Sequence, residues 1–159
     1  MLNPDFRDIL SACIAEDVEF LVVGAYALAA HGLPRATGDL DLWIRRSPGN
    51  AARTMRALAA FGAPLDQITE ADLCAPDIIF QMGVEPSRVD IITAIDGVDF
   101  DEAWPNRIVT TIDELPVPLL GLRDLMTNKR AAGRDQDRAD VSRVEAELKR
   151  REGLDDRSP

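Results

Sequence analysis

VVGAYALAAHGLPRATGDLDLWI, Val22 to Ile44, carries three signals in order. A hydrophobic run ends at Gly24, a small-residue helical segment follows, and a second hydrophobic run opens with Asp39-Leu40-Asp41. Two aspartates one residue apart on a strand project from the same face, roughly 6–7 Å apart along the backbone. A carboxylate pair on a sheet face beside a glycine-initiated helix suits a divalent cation together with a phosphate chain.

Working outward, Asn3-Pro4-Asp5 reads as a helix start, and Pro4 to Ala15 places Phe6, Ile9, Leu10, Cys13 and Ile14 on one face. Phe20 to Val23 is a short, fully apolar strand, expected to be central in its sheet. Ala25 to Ala30 reads as a short helix, apolar all round and therefore buried; Leu33 to Gly38 is a loop and Leu40 to Arg45 the second strand. Ser47 caps a helix with Pro48 at its first position, ending at Phe61-Gly62. Thr69-x-x-Asp72 is a weak cap for a helical turn. Asp77 to Met82 and Arg88 to Thr93 are strands joined by the turn Gly83 to Pro86. Asp99 to Trp104 is a helical turn, and Arg107 to Ile112 and Val117 to Leu120 are further strands. Leu122 to Ala132 and Asp135 to Arg151 form a closing helix pair around Gly133. Strands alternate with helices early and pair by short turns later. That order predicts an α/β (α+β) sandwich: a mixed sheet flanked by helices, with a C-terminal helix pair. One domain is expected over residues 1–151, with 152–159 as a disordered tail.

Composition narrows the function classes. The chain has 159 residues, 46% hydrophobic and 29% charged, which reads as one soluble globular domain with a core of its own. No stretch approaches the ~18 apolar residues of a membrane span, and the N-terminus has no signal-peptide pattern. A formal net charge of −10 opposes general DNA or RNA binding, since phosphate contacts dominate that affinity. Cys13 and Cys74 show no metal-ligand spacing and read as reduced, buried thiols of a cytoplasmic protein. The single histidine argues against a zinc site.

A third acid, Asp90, lies in Arg88-Val-Asp-Ile-Ile-Thr93 among apolar residues. Alone it reads either as an edge-strand acid facing solvent or Arg88, or as a buried carboxylate that needs a partner. Beside Asp39 and Asp41 it completes the three strand-borne acids that a two-metal site requires.

With these residues the chain resembles the nucleotidyltransferase superfamily built on the DNA-polymerase-β-like palm. That pattern is a hydrophobic strand, glycine plus a small residue, acid-x-acid, then a third acid on a later strand. It falls here on Gly24-Ala25, Asp39-x-Asp41 and Asp90. The run from Gly24 through His31-Gly32 and Arg35-Ala-Thr37 to Asp41 looks most like stand-alone bacterial domains related to AbiEii-type toxin–antitoxin nucleotidyltransferases. Lys129…Arg134-x-x-Asp137 is similar to the same group's closing element, so the likeness covers roughly residues 20–145. It implies that Asp39, Asp41 and Asp90 hold two Mg²⁺ ions, with Asp90 also able to accept the attacking hydroxyl's proton. It also implies that Gly24 lets the backbone approach a triphosphate. The implied reaction moves NMP from an NTP, ATP expected, to a hydroxyl of tRNA, a protein or a small molecule. A cognate toxin or antitoxin is the implied protein partner. Two other readings stay open: a catalytically degenerate antitoxin or binding module, and a small antibiotic-modifying nucleotidyltransferase. The chain departs from the pattern at Ala25, where many members carry serine, and at Gln136, where lysine often precedes the closing aspartate.

The closing helices carry an independent signal. Leu122, Leu125, Met126 and Lys129 share one helical stripe, and Asp137, Val141, Val144 and Leu148 another. An inward lysine and an inward aspartate on adjacent helices are expected to pair. Either Asp137 orients Lys129 toward a nucleotide phosphate, or Lys129 snorkels beside a capping aspartate. Arg35 reads as a phosphate or carboxylate contact or as a surface arginine. Thr37 reads as a loop-bonding or turn-stabilising residue. His31 is expected to be structural, and Trp43 and Trp104 to pack rather than stack on a base.

Overall fold

The computed structural model describes residues 2–33 and 38–156, the last three by backbone alone. Arg35 and Thr37 lie outside the described residues. Helix α1, Pro4–Ala15, starts where Asn3 accepts a hydrogen bond from the Asp5 backbone N–H at 2.9 Å. Its buried face is Phe6, Ile9, Leu10 and Cys13. Strand β1, Phe20–Val23, runs into α2, Gly24–Ala30, and β2 spans Asp39–Ile44. Helix α3, Pro48–Phe61, begins at the Ser47 cap, and α4, Glu70–Cys74, carries a complete Thr69/Asp72 capping box. Strands β3, Ile79–Met82, and β4, Arg88–Ile92, precede α5, Phe100–Ala103. Strands β5, Ile108–Ile112, and β6, Leu115–Leu119, lead to α6, Leu122–Ala132, and α7, Asp135–Asp156.

The six strands form one mixed sheet in the order β3-β4-β2-β1-β6-β5. β1 is antiparallel to β2 and parallel to β6, while β2 is parallel to β4. Alternation sends Leu40, Leu42, Val89, Ile91, Phe80 and Met82 into a core shared with residues of α1 and α3. The opposite face carries the polar positions of the same strands. The fold is therefore a mixed α/β sheet flanked by helices, closed by the α6–α7 pair. Among the described residues no helix is long and apolar enough to cross a membrane.

Several expectations need correction. β2 spans Asp39–Ile44, one residue earlier at each end than expected, and both aspartates lie on it as their spacing implies. Helix α2 is not buried all round: Ala27 and Leu28 are buried, whereas Ala29 and Ala30 are exposed. Small residues read as apolar, but alanine is tolerated on either side of a helix. Cys13 is buried, which pushes its thiol up to about 12, whereas Cys74 is only half-buried. Finally, α7 continues past Arg151 to Asp156. Glu147 pairs with Arg150 and Arg151 in the turn before that stretch, and Glu152 within it pairs with Arg123 of α6.

Candidate functional site

Register builds the site. In the parallel β2–β4 pair, Asp41 lies opposite Asp90 and Asp39 opposite Arg88. In the antiparallel β1–β2 pair, Val23 lies opposite Asp41, so the chain turns into α2 directly beside that carboxylate. Gly24 makes this turn at φ +69°, and a Cβ there would stand 2.5 Å from Asp41 Oδ2. Only glycine meets both demands, the left-handed backbone and the close approach. Gly24, Ala25, Asp39, Asp41 and Lys129 line one cavity of about 270 Å³, together with Asn128, Arg134 and Gln136.

The three acids are electrostatically unequal. Arg88 Nη2 donates to Asp39 Oδ2 at 2.6 Å, and Arg88 Nε lies 3.3 Å from Asp90 Oδ1. Asp90 is 7% exposed, and burial raises its affinity for a proton against the opposing Arg88 charge. Burial, followed by repulsion from Asp90 and Asp39, pushes the Asp41 carboxyl up to about 6. A hydrogen bond between the Asp41 and Asp90 carboxyls accompanies this.

These shifts set a pH dependence. A folded-state value above the ordinary one favours the protonated fold, so the penalty is present above about pH 6 and is relieved as pH falls through 6. In metal-free protein, urea unfolding should therefore show wild type gaining about 1 kcal/mol relative to Asp41→Asn between pH 7.5 and 5, water at the partly open site having reduced the full effect. A flat difference between the two proteins would place Asp41 in ordinary solvent.

The α6–α7 junction supplies the cations. Gly133 turns the chain in the left-handed region between the helices, which returns α7 against α6. Lys129 is 6% exposed and Asp137 0% exposed. Lys129 Nζ donates to Asp137 Oδ1 at 3.2 Å and lies 3.5 Å from Asp140 Oδ2. Asp137 also accepts from the Arg134 backbone N–H at 3.3 Å and from Arg134 Nε at 2.7 Å. Burial alone would raise the Asp137 carboxyl, but the Arg134 and Lys129 hydrogen bonds and charges hold it below the usual carboxylate range. The expected Lys129–Asp137 pair is thus present, with Lys129 on the cavity wall and Asp137 behind it.

Three participants were not singled out from sequence. Arg88 was read there only as a partner that Asp90 could face, although its spacing two residues before Asp90 on a strand already implies a shared face. Asp140 follows Asp137 by one helical turn and shares its stripe. Arg134 belongs to the closing element by sequence, and its contact with Asp137 forms at the turn into α7. Elsewhere the structural expectations stand: the His31 ring Nε2 meets the Leu120 carbonyl at 2.8 Å, and burial lowers its affinity for a proton. Trp43 and Trp104 both pack on Phe100, edge-on and stacked, with ring centroids 5.0 and 5.5 Å away.

Among the described residues no group of three or more His, Cys, Asp or Glu side chains is arranged so as to hold a metal ion. Arg88 lies between Asp39 and Asp90 instead. The donor set nevertheless suits Mg²⁺, which takes one or two protein carboxylates and keeps its remaining ligands as water and phosphate. Asp90 Oδ1 is buried without a hydrogen bond, 3.3 Å from the Arg88 Nε, and so keeps lone pairs that a cation could use.

No family model matches the chain, and no curated protein matches it. Among solved structures, a candidate nucleotidyltransferase from Thermotoga maritima is similar, with a TM-score of 0.53 and 16% sequence identity. The likeness covers 99% of this chain and 97% of that one. It extends over the sheet, the flanking helices and the closing helix pair together, so this chain has a nucleotidyltransferase-like fold.

Proposed function

We propose that this chain is a nucleotidyltransferase that moves NMP from an NTP, with ATP the leading candidate, to a hydroxyl acceptor. One observation carries the reading: the register that sets Asp41 against Asp90, beside a cavity that Asp39, Asp41, Gly24, Ala25 and Lys129 all line. Mg²⁺ held by Asp39, Asp41 and Asp90 would supply charge neutralisation to the triphosphate and to the displacement at phosphorus. The first N–H groups of α2, which no helix carbonyl can satisfy, would meet phosphate oxygens at Gly24 and Ala25. Lys129, fixed by Asp137 and Asp140, would face the same phosphates with a charge that does not wander. The acceptor oxygen bonds the α-phosphorus, the bridging bond to the β-phosphate breaks, and pyrophosphate leaves. Asp90 takes the hydroxyl proton, its proton affinity raised by burial.

A second cleft of about 460 Å³ shares Ile92, Ile95, Asn128 and Arg134 with the first and opens toward β3. The acceptor would enter there, along the end of β4, the strand that carries Asp90. Asp77 and Asp96 line it, which with the net charge of −10 favours a small-molecule or protein acceptor over tRNA. The Lys129, Arg134 and Asp137 cluster supports the likeness to AbiEii-type domains, with a cognate toxin or antitoxin as partner. The free cysteines fit a reducing, cytoplasmic setting. A catalytically silent binding module is the second reading, favoured by Ala25, which brings no hydroxyl to the cavity wall.

Thermal unfolding with each of the four NTPs and Mg²⁺ tests the proposal. Binding at ~100 times Kd stabilises by about 2.7 kcal/mol, which raises Tm by roughly 5–10 °C for a chain of this size. Asp39→Asn/Asp41→Asn should abolish the rise. No shift at millimolar Mg-NTP, or an equal shift in the double variant, would leave the transferase reading without support.

A further inference from the structure

Arg88 stands where the charge balance of the site calls for a cation. It lies directly across the β2–β4 pair from Asp39 and two residues before Asp90 on the same strand face. Its guanidinium is split between them: Nη2 hydrogen-bonds Asp39 at 2.6 Å, while Nε lies 3.3 Å from Asp90 Oδ1 without hydrogen-bond geometry. Arginine–carboxylate pairs are frequently bidentate, with two parallel hydrogen bonds to one carboxylate. Here it neutralises two carboxylates incompletely and leaves a buried oxygen of Asp90 without a donor.

We propose that Arg88 is an internal counter-ion that competes with a divalent cation for the Asp39–Asp90 pair and thereby limits how tightly the nucleotide-free site holds metal. The inference rests on the reading of these carboxylates as a cation site. Without a cation, the single positive charge offsets repulsion among three clustered acids. With a divalent cation present, the same charge opposes it. An incoming triphosphate brings negative charge of its own, which offsets the opposition, so cation and nucleotide bind better together than the cation does alone. The device keeps the bare site from capturing metal and favours the metal–nucleotide complex.

Mn²⁺ binding to EDTA-treated full-length protein, read from the loss of the free-ion electron paramagnetic resonance signal, tests this. Arg88→Gln should tighten Mn²⁺ about tenfold, the effect of removing a positive charge ~6 Å from a divalent ion in a water-like dielectric. Arg88→Lys keeps the charge and should stay within about threefold of wild type. Adding ATP should narrow the gap between wild type and Arg88→Gln. Should Arg88→Gln fold only with metal, the Mn²⁺ concentration that folds it becomes the readout, and a midpoint below the wild-type Kd supports the proposal. Failure of Arg88→Gln to fold at any Mn²⁺ concentration would overturn it. Wild-type binding with Arg88→Gln unchanged or weaker overturns the proposal alone, making Arg88 a residue that positions the carboxylates. Absence of Mn²⁺ binding in all three proteins overturns the cation reading and the proposal with it.

Discussion

Asp137→Ala is expected to lower the unfolding free energy by about 3 kcal/mol, because it strands the charge of Lys129 in a buried position. Lys129 is 6% exposed, and its contacts are Asp137 at 3.2 Å and Asp140 at 3.5 Å. Asp140 keeps part of the neutralisation, which places the loss at the lower end of the range for broken buried pairs. The same substitution removes the acceptor of the Arg134 backbone N–H at the start of α7. Lys129→Met in the Asp137→Ala background should restore most of the stability, since the stranded charge then disappears with its stem volume kept. Urea denaturation of the two single variants and the double variant measures this coupling. A loss below about 1 kcal/mol in Asp137→Ala would mean that Lys129 reaches water.

Gly24→Ala should uncouple function from stability. The left-handed backbone at φ +69° carries a penalty of about 1–2 kcal/mol for any residue with a Cβ. The larger effect falls on the site, because the new methyl would lie 2.5 Å from Asp41 Oδ2 and must drive that carboxylate away from Asp90. The Mg-NTP shift in Tm should vanish while the protein remains folded. Gly62→Ala, at φ +91° with open space around its Cβ, controls for the backbone penalty and should keep the nucleotide response. An intact response in Gly24→Ala would show that Asp41 can move without consequence.

Much of this arrangement was legible beforehand where local rules govern. α1 begins at Asn3 and Pro4, α3 runs from the Ser47 cap to Gly62, and α6 ends at Gly133, because those signals act over one turn. The shared face of Asp39 and Asp41 follows from the period of a strand. The inward stripe of Lys129 and Asp137 follows from the period of a helix. Errors fell where local rules are weak. α2 reads as uniformly apolar because alanine does not report which side is buried. α7 outran its expected end, where no glycine or proline stands before Gly153 to stop it and Glu152 pairs with Arg123 of α6.

The sequence by itself determined the order of elements, the faces they present and the chemistry carried on those faces. What it left open was pairing between distant strands. Asp41 meets Asp90, and Arg88 meets Asp39, only because β2 and β4 align in one parallel register. A slip of β4 by one residue would have turned Arg88 and Asp90 into the core, away from Asp39 and Asp41. Such a register is selected by core residues on the opposite face, Leu40 and Leu42 against Val89 and Ile91. The tertiary structure therefore decided that three separate acids form one charged cluster and that an arginine sits between two of them.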